Sequence, residues 1–357
     1  MKIALLAPLV TPIVETQRGG SQSMVVDLAR ALGSRGHHVA VFASLGSRIE
    51  GVDIRELPID SRQLQSVVYR PGNHSLVTGA SRTAFKVAYE HIAMSFDVIH
   101  SHAFDPPAID AAPTGAPLVH TLHLPPTEEM TVAIKKRQQA QGAMIVCVSK
   151  QQAMAWRETI TVHHVVRNGV PTGLIPWRPT SDGRLTYVGR LSPEKGAHIA
   201  IAIARATGLP IDVVGDAYDP DYVRDVIAPM AGGDVNIMGP LERSKVWELM
   251  SRAAAVVVPS LWDEPFGMVA AEAQAAGAPV IATRRGALIE IVEEGMTGAF
   301  IDPGDMARAP KIVAQAMNLD REAIRHSAVE RLDIDGMVDG YESVYRAAAA
   351  KVGVSVA

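Results

Sequence analysis

The sequence predicts an α/β protein made of two Rossmann-like units, each with a parallel sheet. Three observations carry this reading. Short β-branched runs recur along the chain, a turn and a helical pattern follow each of them, and 357 residues suit about two domains. In the first half the runs are Lys2–Ala7, His38–Ala43, Asp97–Ser101, Leu118–Leu122 and Met144–Val148. In the second half they are Leu185–Val188, Ile211–Val214, Val235–Met238, Ala255–Val258 and Val280–Ala282. Most are apolar at successive positions, as strands covered on both faces by helices should be. Helical periodicity fills the gaps, for example over Ser21–Leu32, His198–Thr207, Arg243–Ala253 and Val269–Ala276. Ten strands are more than one unit of this size needs. The rhythm breaks at Pro171, Pro176 and Pro179 before restarting at Arg184, so the expected division is 1–170, 171–335 and a terminal helical segment 336–357. That last segment carries Tyr341 and Tyr345 and is expected to cross back to the first unit. A cleft between two such units would be a natural ligand site.

Composition removes several function classes. The chain has 34 basic and 38 acidic side chains, a net charge of −4, and so no global basic field for nucleic acid. Apolar content of 48% with low net charge argues against disorder. The single cysteine, Cys147, can form no internal bridge and no Cys-based zinc cluster, and a reduced, cytoplasmic compartment is expected. The run from Met1 to Val10 is broken at Pro8 and is shorter than a signal-peptide core, and no later apolar run reaches 18 residues. Neither G-x-G-x-x-G after the first strand nor G-x-x-x-x-G-K-[ST] occurs, so the usual dinucleotide and P-loop signatures are absent.

Four constellations remain as carriers of chemistry. Arg18-Gly19-Gly20-Ser21 lies between the first strand and its helix, where glycines let backbone N–H groups approach an anion; Ser21 could instead be a plain N-cap. Arg190 and Lys195 lie on the loop after Leu185–Val188, at the carboxyl edge where open sheets bind ligands. Two cations there would neutralise a diphosphate, although Glu194–Lys195 could be a solvated surface pair. The segment Glu264-Pro265-Phe266-Gly267-Met268 runs into a helix holding Glu272. Gly267 permits a tight turn, and carboxylates two helical turns apart suit polyol recognition. Capping for Glu264 and an exposed helix position for Glu272 are the plainer alternatives. Finally, His100, His102, His120 and His123 sit at strand ends in the first half. No carboxylate or cysteine beside them completes a ligand pattern, so contact with a substrate hydroxyl or phosphate is preferred to a metal, and no metal is assigned.

Taken in order, these motifs resemble the family 4 retaining glycosyltransferases, whose fold is GT-B. The resemblance spans nearly the whole chain. It runs from Gly19-Gly20 through Asn168-Gly169-Val170, Gly189-Arg190-Leu191 to Lys195-Gly196, and Met238-Gly239-Pro240-Leu241. It continues with the E-x7-E pair Glu264–Glu272, Thr297-Gly298, Asp302-Pro303-Gly304-Asp305 and the Tyr341–Tyr345 helix. The resemblance implies a donor site mostly in the second unit and an acceptor site in the first. Arg190 and Lys195 match residues that hold the donor diphosphate, and Glu272 matches the carboxylate that bonds the ribose. Glu264, with the backbone of Phe266, Gly267 and Met268, matches the cradle for sugar and phosphate. Gly19 and Gly20 match a phosphate-touching loop, Met238 and Gly239 belong to the segment that contacts the base, and His123, preferred over His102, matches a histidine near the reacting carbon.

The implied activity is metal-independent transfer of a sugar, with retention, from a nucleoside-diphosphate sugar (UDP or GDP) to a small-molecule or glycan acceptor, with no other cofactor. A nucleotide-sugar 2-epimerase of the same architecture and a non-catalytic nucleotide-sugar binder are the alternatives. Two positions depart from the family pattern: Gly286-Ala287 stands where Gly-Gly is common, and Gly215-Asp216-Ala217 lacks a frequent second glycine. The triplet Lys135, Lys136, Arg137 in Ala133–Gln139 is the candidate membrane contact, and a solvated helix face is preferred. Acceptor choice is expected to lie in Thr11–Arg18, Leu45–Gly79 and Asp105–Pro107.

Overall fold

Buried side chains at successive positions along the strands show that both faces of each sheet are covered. Ala143–Cys147 and Ala255–Val258 are buried at every residue. The computed structural model describes residues 1–15, 19–61, 74–92, 95–138 and 143–354. Arg18, Gln139 and part of the 45–79 loop fall outside them.

The chain divides into two units, Met1–Arg167 with Ile334–Ala357, and Asn168–Asp333. The first holds a seven-stranded sheet of β1 (Lys2–Leu6), β2 (His38–Ala43), β3 (Asp53–Glu56), β4 (Val98–Ser101), β5 (Leu118–Leu122), β6 (Ala143–Cys147) and β7 (His164–Val165). Its order is β3-β2-β1-β4-β5-β6-β7, with every pairing parallel. The second holds β8 (Leu185–Val188), β9 (Ile211–Val214), β10 (Val235–Gly239), β11 (Ala255–Val258), β12 (Val280–Ala282) and β13 (Gly298–Phe300). Their order is β10-β9-β8-β11-β12-β13, again all parallel. In each sheet the order reverses beside its first strand, between β1 and β4 and between β8 and β11. Ligands of open α/β sheets bind outside the carboxyl ends of strands at such a switch point.

All ten expected strands form, shifted at most by a residue. Three more, β3, β7 and β13, carry no apolar signal. Asp-Ile-Arg-Glu in β3 is a half-exposed edge, β7 has two residues, and β13 has three and begins with glycine. At the first helix, Gly20–Ser34, the N-cap is Gly19 in extended conformation with no side-chain cap, so Ser21 does not cap it. The basic triplet also reads differently in three dimensions. Arg137 is buried, donating to the carbonyls of Ala112 and Pro113, and Ala133 and Ile134 are buried beside it. Only Lys135 and Lys136 of the triplet face solvent, and Lys136 lies 3.9 Å from Asp110. No described helix is long and apolar enough to cross a membrane.

The last helix, Ile334–Lys351, packs on β4, β5, β6 and helix Gly20–Ser34. Met337, Val338, Tyr341, Val344, Tyr345, Ala348 and Ala349 form its buried stripe, at the spacing of one helix face. Burying each tyrosine ring contributes about 2–3 kcal/mol of transfer free energy. Their hydroxyls are satisfied too. Tyr345 meets His100 Nδ1 at 2.7 Å, and Tyr341 meets Thr121 Oγ1 at 3.1 Å, which in turn meets His100 Nε2 at 2.8 Å. Arg35 adds an ion-paired fork to Asp335 and Asp339 at the helix start. Tyr345→Phe strands the buried His100 Nδ1 and is expected to lower unfolding free energy by about 1–3 kcal/mol. Urea denaturation measures this, and a loss below about 0.5 kcal/mol would contradict the network's role.

Candidate active site

The loops at the switch point of the second sheet bring together three of the expected residues. Arg190 and Lys195 follow β8, Glu264 follows β11, and Lys195 Nζ donates to Glu264 Oε1 at 2.6 Å. Burying a carboxylate this far costs free energy unless partners replace the lost water. Ser260 supplies the second, its Oγ donating to the same oxygen at 2.7 Å. Oε2 meets no hydrogen-bond partner among the described residues. The Lys195 ammonium lies 4.7 Å from the Trp262 ring, a cation–π contact that holds the chain while leaving N–H capacity unused. Arg190 stacks over Tyr218 at 4.3 Å and lies 3.8 Å from Glu194. Its neighbour Glu194 is itself drawn away by Ser192 Oγ at 2.6 Å, so no tight Glu194–Lys195 pair forms.

The turn holding Glu264 is closed by glycine geometry. Gly267 has φ +100°, which L side chains rarely adopt, and it is the N-cap of helix Met268–Ala275. Gly286 has φ +50°, and a Cβ there would sit 2.4–2.5 Å from the Glu264 backbone O and N. Ala287 N donates to Glu264 O at 2.8 Å, and Gly286 N to Asp263 Oδ1 at 3.1 Å. One glycine with an alanine after it therefore suffices for this approach. Phe266 turns its ring into the core, leaving its backbone in the turn.

Glu272, buried on the helix that follows, takes a different cation. Arg243, from helix Arg243–Arg252, reaches Glu272 Oε1 with Nε at 2.9 Å and Nη2 at 2.7 Å, while stacking 4.6 Å from Trp247. Sequence reading missed Arg243, Ser260 and Trp262. None lies in a motif, and only the fold brings them to the carboxylates. Met238 and Gly239 end the edge strand β10 at a register shift, with Met238 more than one-third exposed and Gly239 at φ +68°.

In the first unit, Gly19 lies beyond the end of β1, where an added Cβ would meet only Gln22 Oε1 at 3.6 Å. No contact among the described residues demands glycine there, and Gly20 opens the helix. All four histidines are buried, but only His102 and His123 lie at the carboxyl ends of β4 and β5, whereas His100 and His120 sit within the strands. His102 Nδ1 lies 3.0 Å from His123 Nε2, with the rings stacked at 5.2 Å. Among the described residues no group of three or more His, Cys, Asp or Glu is arranged to hold a metal. Cys147 is a buried strand residue whose thiol burial pushes up to about 12.

Burial holds all four imidazoles neutral, pushing His123 down to about 4 and His120 to about 3. The unfolded chain, titrating near 6.5, binds more protons below that pH. The stability these rings contribute is thus complete above 6.5 and is lost as pH falls toward 4. Buried Asp105, pushed up to about 6, acts in the opposite sense and offsets one ring. His120 has no hydrogen-bond partner on either nitrogen among the described residues. Urea titrations at several pH values between 4.5 and 6.5 are expected to show His120→Leu reducing the acid slope by about 1.4 kcal/mol per pH unit. An unchanged slope would contradict the neutral assignment.

Comparison with known proteins agrees with this architecture. Residues 18–174 match the model for Glycosyltransferase Family 4, and residues 178–331 the model for Glycosyl transferases group 1. The D-inositol 3-phosphate glycosyltransferase of Acidothermus cellulolyticus is 27% identical, over 93% of this chain and 86% of that protein. Among solved structures, the sucrose-phosphate synthase of Thermosynechococcus elongatus superposes with a TM-score of 0.79 at 20% identity, covering 98% of this chain and all of the other. Anabaena HepE in complex with UDP and glucose gives 0.73 at 20% identity, over 96% and 98%. Two family models that together run across both sheets, and solved glycosyltransferases that share the whole fold, place the chain in glycosyltransferase family 4, an enzyme of the GT-B fold.

Proposed function

We propose that this glycosyltransferase moves a sugar from a nucleoside-diphosphate sugar, with UDP or GDP as the nucleotide, to an acceptor hydroxyl, with retention and without a metal. One observation carries the reading: Lys195 and Glu264 meet at 2.6 Å at the switch point of the second sheet, with Arg190 on the same loop as Lys195. The leaving nucleoside diphosphate gains negative charge as the glycosidic bond breaks. Lys195, through its remaining N–H groups, and Arg190, through its planar fork, supply fixed positive charge for it. That charge is what makes a divalent ion dispensable in this proposal.

The two carboxylates divide the remaining work. Glu264, held by Lys195 and Ser260 on Oε1, offers Oε2 to hydroxyls of the donor sugar, with the Phe266–Met268 backbone beside it. Glu272, gripped by Arg243 on Oε1, offers Oε2 to the ribose hydroxyls, and Met238–Gly239 faces the base. In the first unit, Gly19 and Gly20 are the proposed phosphate contact and His123 the proposed contact to the reacting sugar. That no contact among the described residues demands glycine at position 19 supports the first assignment. The acceptor falls to the first unit, and the name of the 27%-identical relative makes a phosphorylated polyol the first class to try.

Calorimetry with UDP and GDP tests the donor site. Lys195→Ala and Glu272→Ala are each expected to weaken the preferred nucleotide about ten- to a hundredfold, the loss of one charge-assisted contact. Unchanged affinity in both variants overturns the donor-site assignment. Transfer is expected to persist in excess EDTA and to give a product with the donor's anomeric configuration by NMR. Activity abolished by EDTA and restored by a divalent ion would remove metal independence from the proposal.

A further inference from the structure

The two histidines at the ends of β4 and β5 share one hydrogen bond, and its proton has two possible owners. If His123 Nε2–H donates to His102 Nδ1, neutral His102 must carry its own proton on Nε2. That nitrogen is buried and meets no hydrogen-bond partner among the described residues. A buried N–H left without a partner costs the desolvation of that donor, as one nitrogen of neutral His120 already does. If His102 Nδ1–H is the donor, its Nε2 is a bare lone pair and no N–H of this ring is orphaned, the lesser cost. Neutral His123, accepting on Nε2, then carries its proton on Nδ1. His123 retains slight exposure, and its Nδ1, unlike His102 Nε2, is not among the orphaned buried nitrogens. His102 cannot easily turn to escape this arrangement. Its ring lies against His100 at 3.9 Å, edge-on to Tyr341 at 6.3 Å, and stacked on His123. His100 in turn is pinned on both nitrogens, by Tyr345 and Thr121.

We propose that His102 is a positioning residue: by donating Nδ1–H to His123 Nε2, it sets the tautomer of His123 so that the ring presents a neutral Nδ1–H donor at its accessible edge. The inference rests on the proposed substrate contact of His123 for its functional meaning, while the tautomer itself stands on the hydrogen-bond geometry alone. A fixed neutral donor suits an uncharged sugar or acceptor hydroxyl and keeps its direction without a change of protonation. Burial keeps both rings neutral through the physiological range, which is consistent with one permanent tautomer.

The full chain, ¹⁵N-labelled at histidine, tests this by two-bond ¹H–¹⁵N imidazole correlations at pH 7.5, with the His123 signals assigned by their loss in His123→Ala. The wild-type protein is expected to show His102 and His123 both protonated on Nδ1. His102→Phe is expected to release His123 to the Nε2–H tautomer and to lower kcat at least tenfold with nucleotide affinity unchanged. His102→Asn, whose amide can donate from near the Nδ1 position, is expected to restore both the tautomer and most of kcat. Wild-type His123 protonated on Nε2, or a His123 tautomer indifferent to His102→Phe, overturns the proposal, and the wild-type spectrum decides this even where a variant fails to fold. Full transfer activity in His123→Ala overturns the substrate contact instead, and is distinguishable because the tautomer spectrum does not depend on it.

Discussion

Burying a carboxylate costs free energy unless hydrogen bonds replace the water it loses, and Glu264 is where this protein meets that constraint. Its Oε1 takes Lys195 from the loop after β8 and Ser260 from the loop after β11, while its backbone is bound by Ala287 from beyond β12. One residue thus ties three crossover loops of the second sheet together at its switch point. Removing either member of a buried pair leaves the other uncompensated, typically at a cost of about 3–5 kcal/mol. The turn geometry follows from that need: Gly286 lacks a Cβ because the Glu264 backbone occupies its place, and Gly267 adopts a positive φ to start the helix carrying Glu272. Each carboxylate is half used by its own cation. The unused halves are what a sugar or a ribose would need.

The first unit solves a similar problem with neutral groups. Its histidines lie deep enough that burial suppresses their charge, and hydrogen bonds to Tyr345, Thr121 and one another replace water for much of their polar surface. The partners come from opposite ends of the chain. Tyr341 and Tyr345 belong to the last helix, which packs against strands laid down by the first 150 residues. The helix is therefore part of the first unit's core, and the hydroxyls that orient His100 arrive only when it docks.

Much of this was legible in sequence because strands covered on both faces announce themselves. Runs such as Ala-Val-Val-Val and Ile-Asp-Val-Val need no context to be read as strands, and all ten such runs form. Three of the four edge strands were silent: Asp-Ile-Arg-Glu in β3 sets one apolar residue among charges, and its Arg55 guanidinium lies over the Phe42 ring of β2. The glycine-marked turn at Gly267 was legible because a positive φ restricts residue type directly. Arg137 was misread for the converse reason. A basic triplet looks solvated in one dimension, yet the guanidinium turns inward to cap the carbonyls of Ala112 and Pro113.

The sequence by itself determined the α/β class, the places of ten strands along the chain and the positions of Arg190, Lys195, Glu264 and Glu272 beside them. These depend on local periodicity and on turn chemistry within a few residues. Tertiary structure alone decided the pairing. It set Lys195 rather than Glu194's neighbourhood against Glu264, drew Arg243 to Glu272 across 29 residues, and placed the His102 ring on that of His123. Such choices come from desolvation, which is a property of where strands and helices bury one another. A charge or an imidazole seeks its partner only after water has gone, and the fold determines which groups are then within reach.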